Sequence, residues 1–386
     1  MKKVTRILAV LFALSLVLVM AACGTSAPSG DTATAPIKIG IFQDVTGPTS
    51  SSGLMVEAGV KWAVEEINAA GGINGVLVET ITYDTKGNVD EAIAAYNRAV
   101  TVDNVSALVG PPVANIALAI GPMTEENDIP FVGLGIDPKC QVKEDGTPYK
   151  NMFCMQPSSI QMGTIMAKFA LKNDMTSIGI IYNEANAYSV TLRTAFSETA
   201  VAGGAEIVED VPFTANDRDF KTLLAGMIDK NVDVIFAPNY PQELILIVQQ
   251  ARALGYEGKI IAAVDGSPPF ADLLGEDCDD LYYINNYDQA AVAAMEAEIK
   301  EKLNIVATNK FYLGYDIANV LCMFFAEVGN DPAAVSAKME TLSNYPGLTG
   351  NITINPATHM PTGLAMYIYT YEGTTPVLVD HFAAEE

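Results

Sequence analysis

Short aliphatic and β-branched runs alternate with longer amphipathic stretches along most of the chain, and this alternation restricts the fold more than any other feature. IKIGIF at 37–42 reads as a strand. A helical pattern over 54–70 follows and stops at Gly71 and Gly72, where a left-handed backbone is readily reached. The order then recurs as VLVETITY, a helix over 89–102, VSALVG, a helix over 114–126 and IPFVGLG. Strands joined by helical crossovers pair in parallel, so the pattern predicts a βαβ series.

A second series begins after Pro157 with a helix running to Lys172, then SIGIIY, a helix over 188–201 and AEIVEDVPF. It continues through a helix over 219–229, VDVIFAPN, a helix over 242–254, KIIAAVDG and LYYIN, before helices over 290–303 and 312–328. LTGNITIN and GLAMYIYTYEG, on either side of 359–363, read as two antiparallel strands. A chain of 386 residues also exceeds what one hydrophobic core usually serves. The expectation is α/β: two doubly wound parallel-sheet lobes, residues 37–156 plus 287–346 and residues 157–286 plus 347–386. Ligands of such sheets settle beyond the carboxyl ends of the strands. The loops expected there are QDVTGPTSSSG, VGPPVAN, VGLGIDP, YNEANAYS, APNYPQE and AVDGSPP.

Ahead of the folded part, residues 7–20 (ILAVLFALSLVLVM) stand behind Lys2, Lys3 and Arg6 and before Ala21, Ala22 and Cys23. A basic start, an apolar run and a small-residue processing site describe an export signal over 1–22. The run falls short of the ~20 apolar residues that span a bilayer. A cysteine at the cut point predicts a bacterial lipoprotein with lipid on Cys23. The stretch resembles a lipobox, with Met20 where Leu is usual. Residues 23–36 contain small, polar and proline residues that do not repay ordering, and are read as a tether. The protein is then expected outside the cytoplasmic membrane, anchored to its outer face.

The chain carries 22 basic and 46 acidic residues, a net charge of −24. Such a surface repels nucleic acid and anionic membranes, so membrane contact is expected through the lipid alone. With two histidines, His359 and His381, and no CxxC spacing, metal sites lack ligands. No GxSxG elbow or GxxxxGK[ST] loop occurs, and GLG at 133–135 lacks the rest of a dinucleotide fingerprint. No cofactor is expected. Cys140 and Cys154 bracket a turn-rich segment and are expected to close a loop as a disulfide outside the cytoplasm, while Cys322 and Trp62 sit in helical patterns as core residues.

NAAGGING at 68–75, TGP at 46–48, LVGPP at 108–112 and GYD at 314–316 occur in a characteristic order and spacing. In these the chain resembles type I solute-binding proteins and is similar, more narrowly, to the branched-chain amino acid binding proteins of ABC importers, over 37–382. The resemblance implies a monomer whose two lobes, joined by three crossings, close on one small ligand and deliver it to a membrane permease. With no histidine near the expected loops and no catalytic motif, no catalysis is expected. Carried over, the resemblance places ligand contacts at Ser52, Val113, Ala114, Gly135 and Asp137 in the first lobe and at Tyr188, Tyr240 and Asp265 in the second.

In amino acid binders of this type, a Ser in place of Ala114 and a Thr in place of Asp137 donate hydroxyls to the ligand carboxylate. Here neither hydroxyl exists. Gly135 retains a backbone carbonyl for an ammonium group, and Asp265 retains the acidic partner of that ammonium. A ligand carboxylate beside an ionised Asp137 meets like-charge repulsion, which points to a cationic or neutral, donor-rich ligand; whether it carries a free carboxylate stays open, since backbone N–H groups at Ala114 and Asp137 still offer a weaker site for one and branched-chain amino acids remain the default class by resemblance. Two other functions are compatible with these residues: a ligand-sensing ectodomain acting with a separate membrane partner, and a cleft enzyme using Asp137 and Asp265 as acid and base.

Overall fold

A computed structural model describes residues 36–383 apart from position 215. The expected signal peptide, the lipidation site Cys23 and nearly all of the tether lie outside the described residues.

The first sheet has the order β2-β1-β3-β4-β5, from β1 (Ile37–Gln43), β2 (Val78–Asp84), β3 (Ala107–Val109), β4 (Phe131–Gly133) and β5 (Met152–Cys154). Every pairing in it is parallel. Helices α1 (Ser50–Ala69), α2 (Val89–Arg98) and α3 (Ala114–Ile120) make the crossovers. Because side chains alternate along a strand, β1 serves two cores at once. Ile37, Ile39 and Ile41 pack with Val56 and Val60 of α1, whereas Phe42 on the opposite face packs with Leu108, Tyr96 and Phe131. Each such aliphatic or aromatic side chain contributes roughly 2 kcal/mol by leaving water.

The second sheet receives the chain through α4 (Ser159–Lys172) and is built on β6 (Ser177–Asn183), β7 (Glu206–Phe213), β8 (Val234–Phe236), β9 (Lys259–Ile261) and β10 (Leu281–Asn285). Its crossovers are α5 (Ala187–Ala202), α6 (Lys221–Asp229), α7 (Pro241–Ala253) and the short α8 (Phe270–Leu274). Ile178, Ile180 and Phe236 face α4 and α5, while Ile181 and Ile235 face Leu224 of α6 and Leu244 and Val248 of α7. Six of the described α-helices start on a side chain suited to capping: Asn88, Ser158, Asn186, Asp288, Thr308 and Asp331 each accept a first-turn N–H.

After β10 the chain returns to the first sheet through α9 (Gln289–Leu303), α10 (Asn309–Val328) and α11 (Pro332–Met339). Leu313, Ile317 and Leu321 of α10 join the core beneath β1. There α10 crosses α1 without side chains between the backbones: a Cβ on Gly59 would sit 2.0 Å from the Phe311 carbonyl oxygen, and one on Gly314 2.5 Å from that of Val56. Trp62 lies on the neighbouring face of α1, edge-on to Phe311 and 6 % exposed, as a core residue.

The C-terminal strands differ from the expected simple pair. LTGNITIN divides into β12 (Gly350–Ile352), antiparallel to β11 (Tyr345–Gly347), and β13 (Ile354–Asn355), antiparallel to β14 (Met360–Pro361). β15 (Met366–Glu372) instead pairs antiparallel with β10 and with β16 (Thr375–Phe382), extending the second sheet to β16-β15-β10-β9-β8-β6-β7. Asp316 holds the β11–β12 hairpin beside α10, its carboxylate accepting the N–H of Leu348 at 2.9 Å and of Thr349 at 2.8 Å. Ile352 and Ile354 accordingly pack in the first core, so the chain rejoins the second sheet later than residue 347.

Three crossings thus connect the sheets, and they are laced to one another. Cys154 donates its N–H to the His359 carbonyl at 2.9 Å, and Asn286 Nδ2 donates to the Thr349 carbonyl at 2.9 Å.

The expected disulfide is not formed. Cys140, Cys154, Cys278 and Cys322 are all buried free thiols. Cys140 Sγ donates to the Ala114 carbonyl at 3.7 Å and Cys154 Sγ to that of Gln156 at 3.5 Å, so each thiol is aimed at its own acceptor. Burial raises the pKa of both, Cys154 to about 12.

Candidate ligand-binding cleft

The loop after β1 is organised by a buried aspartate. Asp44 accepts the N–H of Gly47 at 2.5 Å and both the N–H and the hydroxyl of Thr49 at 2.8 Å, which places Thr49, Ser51 and Ser52 at the start of α1. The loop after β3 brings Pro112, Val113 and Ala114 to the start of α3. From the second sheet, the Asn186 cap accepts the Tyr188 N–H at 3.1 Å and sets that ring in the first turn of α5. Tyr240 is the residue before Pro241, the first of α7. Asp265 lies in a tight turn after β9, tied by Ser267 Oγ donating to the Val264 carbonyl at 2.6 Å and by the Tyr371 hydroxyl donating to Gly266 at 2.7 Å.

These loops converge on one cleft cavity of about 670 Å³, open solvent included. Ser52, Val113, Ala114, Tyr188, Tyr240 and Asp265 line it, as do Gln156 and Lys310, which the sequence reading did not single out. A second cavity of about 780 Å³ shares Ser51, Ser52, Asp265 and Lys310 and adds Leu54, Met55, Phe270 and Leu273. The polar chamber therefore opens onto an apolar one.

Gly135 and Asp137 are placed differently. The Gly135 carbonyl accepts Gln141 Nε2 at 2.8 Å, and neither residue lines the cavity. Asp137 is 3 % exposed; its Oδ1 accepts the Lys139 N–H at 2.9 Å and its Oδ2 the Thr191 hydroxyl at 2.5 Å. Its charge is thus directed to a turn and to α5. Asp137 therefore does not line the cavity, although its chain neighbour Ile136 does.

Electrostatics in the cavity are set by burial. Burial raises the Asp265 pKa above its ordinary value, opposed by the Lys310 charge and by a hydrogen bond from Tyr188. Burial lowers that of Lys310, opposed by the Asp265 charge. The Tyr188 and Tyr240 phenols are raised by burial and by the nearby Asp265 carboxylate. The Tyr188 hydroxyl makes no well-aligned hydrogen bond, yet it lies near enough to the Asp265 carboxylate for each to shift the other's pKa. A partly buried acid, a partly buried base, two tyrosine hydroxyls and two aromatic faces suit recognition of a small polar molecule.

The lobes touch across the cleft beside this cavity. Gln242 Nε2 donates to the Pro48 carbonyl at 3.1 Å, and Asn115 Nδ2 to that of Ala185 at 3.3 Å.

Residues 36–375 match the model of the periplasmic binding protein family. The chain belongs to that family. Among curated relatives, a Leu/Ile/Val-binding protein, BraC3 of Rhizobium johnstonii, is 31 % identical over 228 residues, covering 59 % of this chain and 61 % of the relative. Among solved structures, the leucine binding protein LivK of Thermotoga maritima superposes with a TM-score of 0.82 at 26 % identity, over 90 % of this chain and 99 % of that one. LivJ of Streptococcus pneumoniae, a branched-chain amino acid transporter substrate binding protein solved with isoleucine, gives a TM-score of 0.81 at 23 % identity, over 90 % and 99 %. These relatives are solute-binding proteins, not enzymes, and the two-lobed α/β fold of the family is the one seen here.

Proposed function

We propose that this member of the periplasmic binding protein family captures a small amino-acid-like or related polar organic ligand between its lobes and delivers it to the permease of an ABC importer. The observation that carries this reading is the 670 Å³ cavity, to which loops of both sheets contribute, including Ser52 and Ala114 from one and Tyr188, Tyr240 and Asp265 from the other. A ligand touching both lobes favours the closed state by its differential affinity for it, and closure gives the permease a shape to recognise. In this reading the protein is a monomer exported by its signal, with lipid on Cys23 keeping it near the permease and raising its effective concentration there.

Isothermal titration of the exported chain with L-leucine, L-isoleucine and L-valine, preceded by a thermal-shift screen of all twenty amino acids and small polar organic compounds, tests the ligand class. Saturable binding of one or more is expected, with a rise in melting temperature that grows with ligand concentration. No response across the screen would overturn the proposal. Metabolic labelling with a radiolabelled fatty acid tests the anchor: label is expected on the wild type and absent from Cys23→Ser.

A further inference from the structure

Lys310 is out of place by the ordinary rules of helices. It occupies the first turn of the 20-residue α10, where the positive end of the macrodipole disfavours a cation. Its backbone N–H donates to the Thr308 cap at 3.3 Å, which holds the residue at this end. Its ammonium donates to Gln156 Oε1 at 3.4 Å, while Gln156 Nε2 is committed to the Leu134 carbonyl at 2.8 Å. The side chain therefore stands in the cavity on a positioned support, and it lines both chambers together with Asp265. Nothing in the folding of α10 requires a cation there, because its core contacts are made by Leu313, Ile317 and Leu321.

Building on the function proposed above, we propose that Lys310, positioned by Gln156, receives the carboxylate of the ligand and thereby replaces the hydroxyls missing at Ala114 and Asp137. The ligand class is then a small acid whose carboxylate meets Lys310, whose ammonium or other donor meets Asp265, and whose apolar part enters the chamber lined by Leu54, Met55, Phe270 and Leu273. A cation and an anion on the wall of one cavity compensate each other while it is empty, and a zwitterion entering between them satisfies both. This assignment decides the question that the sequence left open in favour of a carboxylate-bearing ligand: Asp137 is bonded to Thr191 outside the cavity lining, and Lys310 supplies the charge.

The test is isothermal titration of wild type, Lys310→Met and Lys310→Arg with matched probe sets. For leucine, isoleucine, valine and phenylalanine, these comprise the amino acid, its amide, its decarboxylated amine and its deaminated acid. For wild type, the amino acid is expected to bind at least tenfold more tightly than the amide. Lys310→Met is expected to lose at least tenfold on every carboxylate-bearing probe while its amide binding changes little, and Lys310→Arg to restore the preference. If Lys310→Met does not fold, as judged by circular dichroism and melting temperature, Lys310→Gln takes its place. Undiminished binding of carboxylates to the variant, or wild-type preference for amides and amines, would overturn the inference and leave the proposed function standing. No binding of any probe to wild type would overturn the amino-acid class and this inference with it.

Discussion

Tyr188 and Tyr240 stack with ring centroids 5.4 Å apart and planes inclined by 12°. The pair joins the start of α5 to the start of α7, two crossovers brought together by the neighbouring strands β6 and β8. It presents a flat aromatic wall to the cavity, with the more exposed Tyr240 supported from behind by nearly buried Tyr188. Aromatic contacts of this kind are worth about 1 kcal/mol beyond the area they bury. Tyr240→Ala is therefore expected to weaken binding of whichever amino acid the screen identifies by roughly tenfold or more, measured by isothermal titration, with little change in melting temperature.

Asp265 presents a second expectation, in pH. Its pKa is raised above the usual 3.8 by burial, so it loses its charge at a higher pH than an exposed carboxylate does. Affinity for an ammonium-bearing ligand should fall as the pH drops through that raised pKa. Asp265→Asn should bind such a ligand about tenfold or more weakly at neutral pH, in line with the ~1.5–3 kcal/mol of a charged hydrogen bond, and show a flatter pH profile. Titrations between about pH 7 and pH 4 compare the two.

The crossing of α1 and α10 yields a stability prediction. Gly59→Ala and Gly314→Ala each place a methyl group well inside contact distance of a facing backbone carbonyl, at 2.0 and 2.5 Å. Neither carbonyl belongs to a flexible side chain, so the helices must separate. Each substitution should destabilise by about 2–3 kcal/mol, read as a lower denaturation midpoint in urea with an unchanged slope.

His359 predicts acid sensitivity. Its ring stacks on Phe153 at 4.3 Å in the third crossing, with Nδ1 3.2 Å from the Met152 carbonyl, and burial holds its pKa below 6.5. The unfolded chain therefore takes up this proton first as the pH falls. The contribution is present above about 6.5 and is lost as the pH drops toward the folded-state pKa. His359→Asn, which tolerates the positive φ of 53°, should lower stability at every pH yet show a shallower decline in melting temperature between about pH 7 and pH 5.

Local pattern carried far along this chain. The two βα series were legible because strands buried on both faces read as short aliphatic runs, and because Gly71, Gly72 and the capping residues punctuate the helices. Loops at the carboxyl ends of the strands could be named as cleft loops for the same reason, and six of the eight ligand contacts expected on them, from Ser52 to Asp265, line the cavity. Order and period are properties of neighbouring residues, and sequence alone determined them.

What it did not determine depends on partners far away in the chain. Asp137 reads as a cleft carboxylate until Thr191, more than fifty residues later, takes its charge. Cys140 and Cys154 read as a disulfide until each thiol finds a different carbonyl. The β11–β12 hairpin sits beside α10 where Asp316 captures Leu348 and Thr349. Lys310 and Asp265 come from different crossovers, and only the packing of α10 beside the cleft puts an acid and a base on one cavity wall. Tertiary structure decides such matters because a charge or a thiol acts through its nearest neighbours in space, and the position of those neighbours is a property of the completed fold.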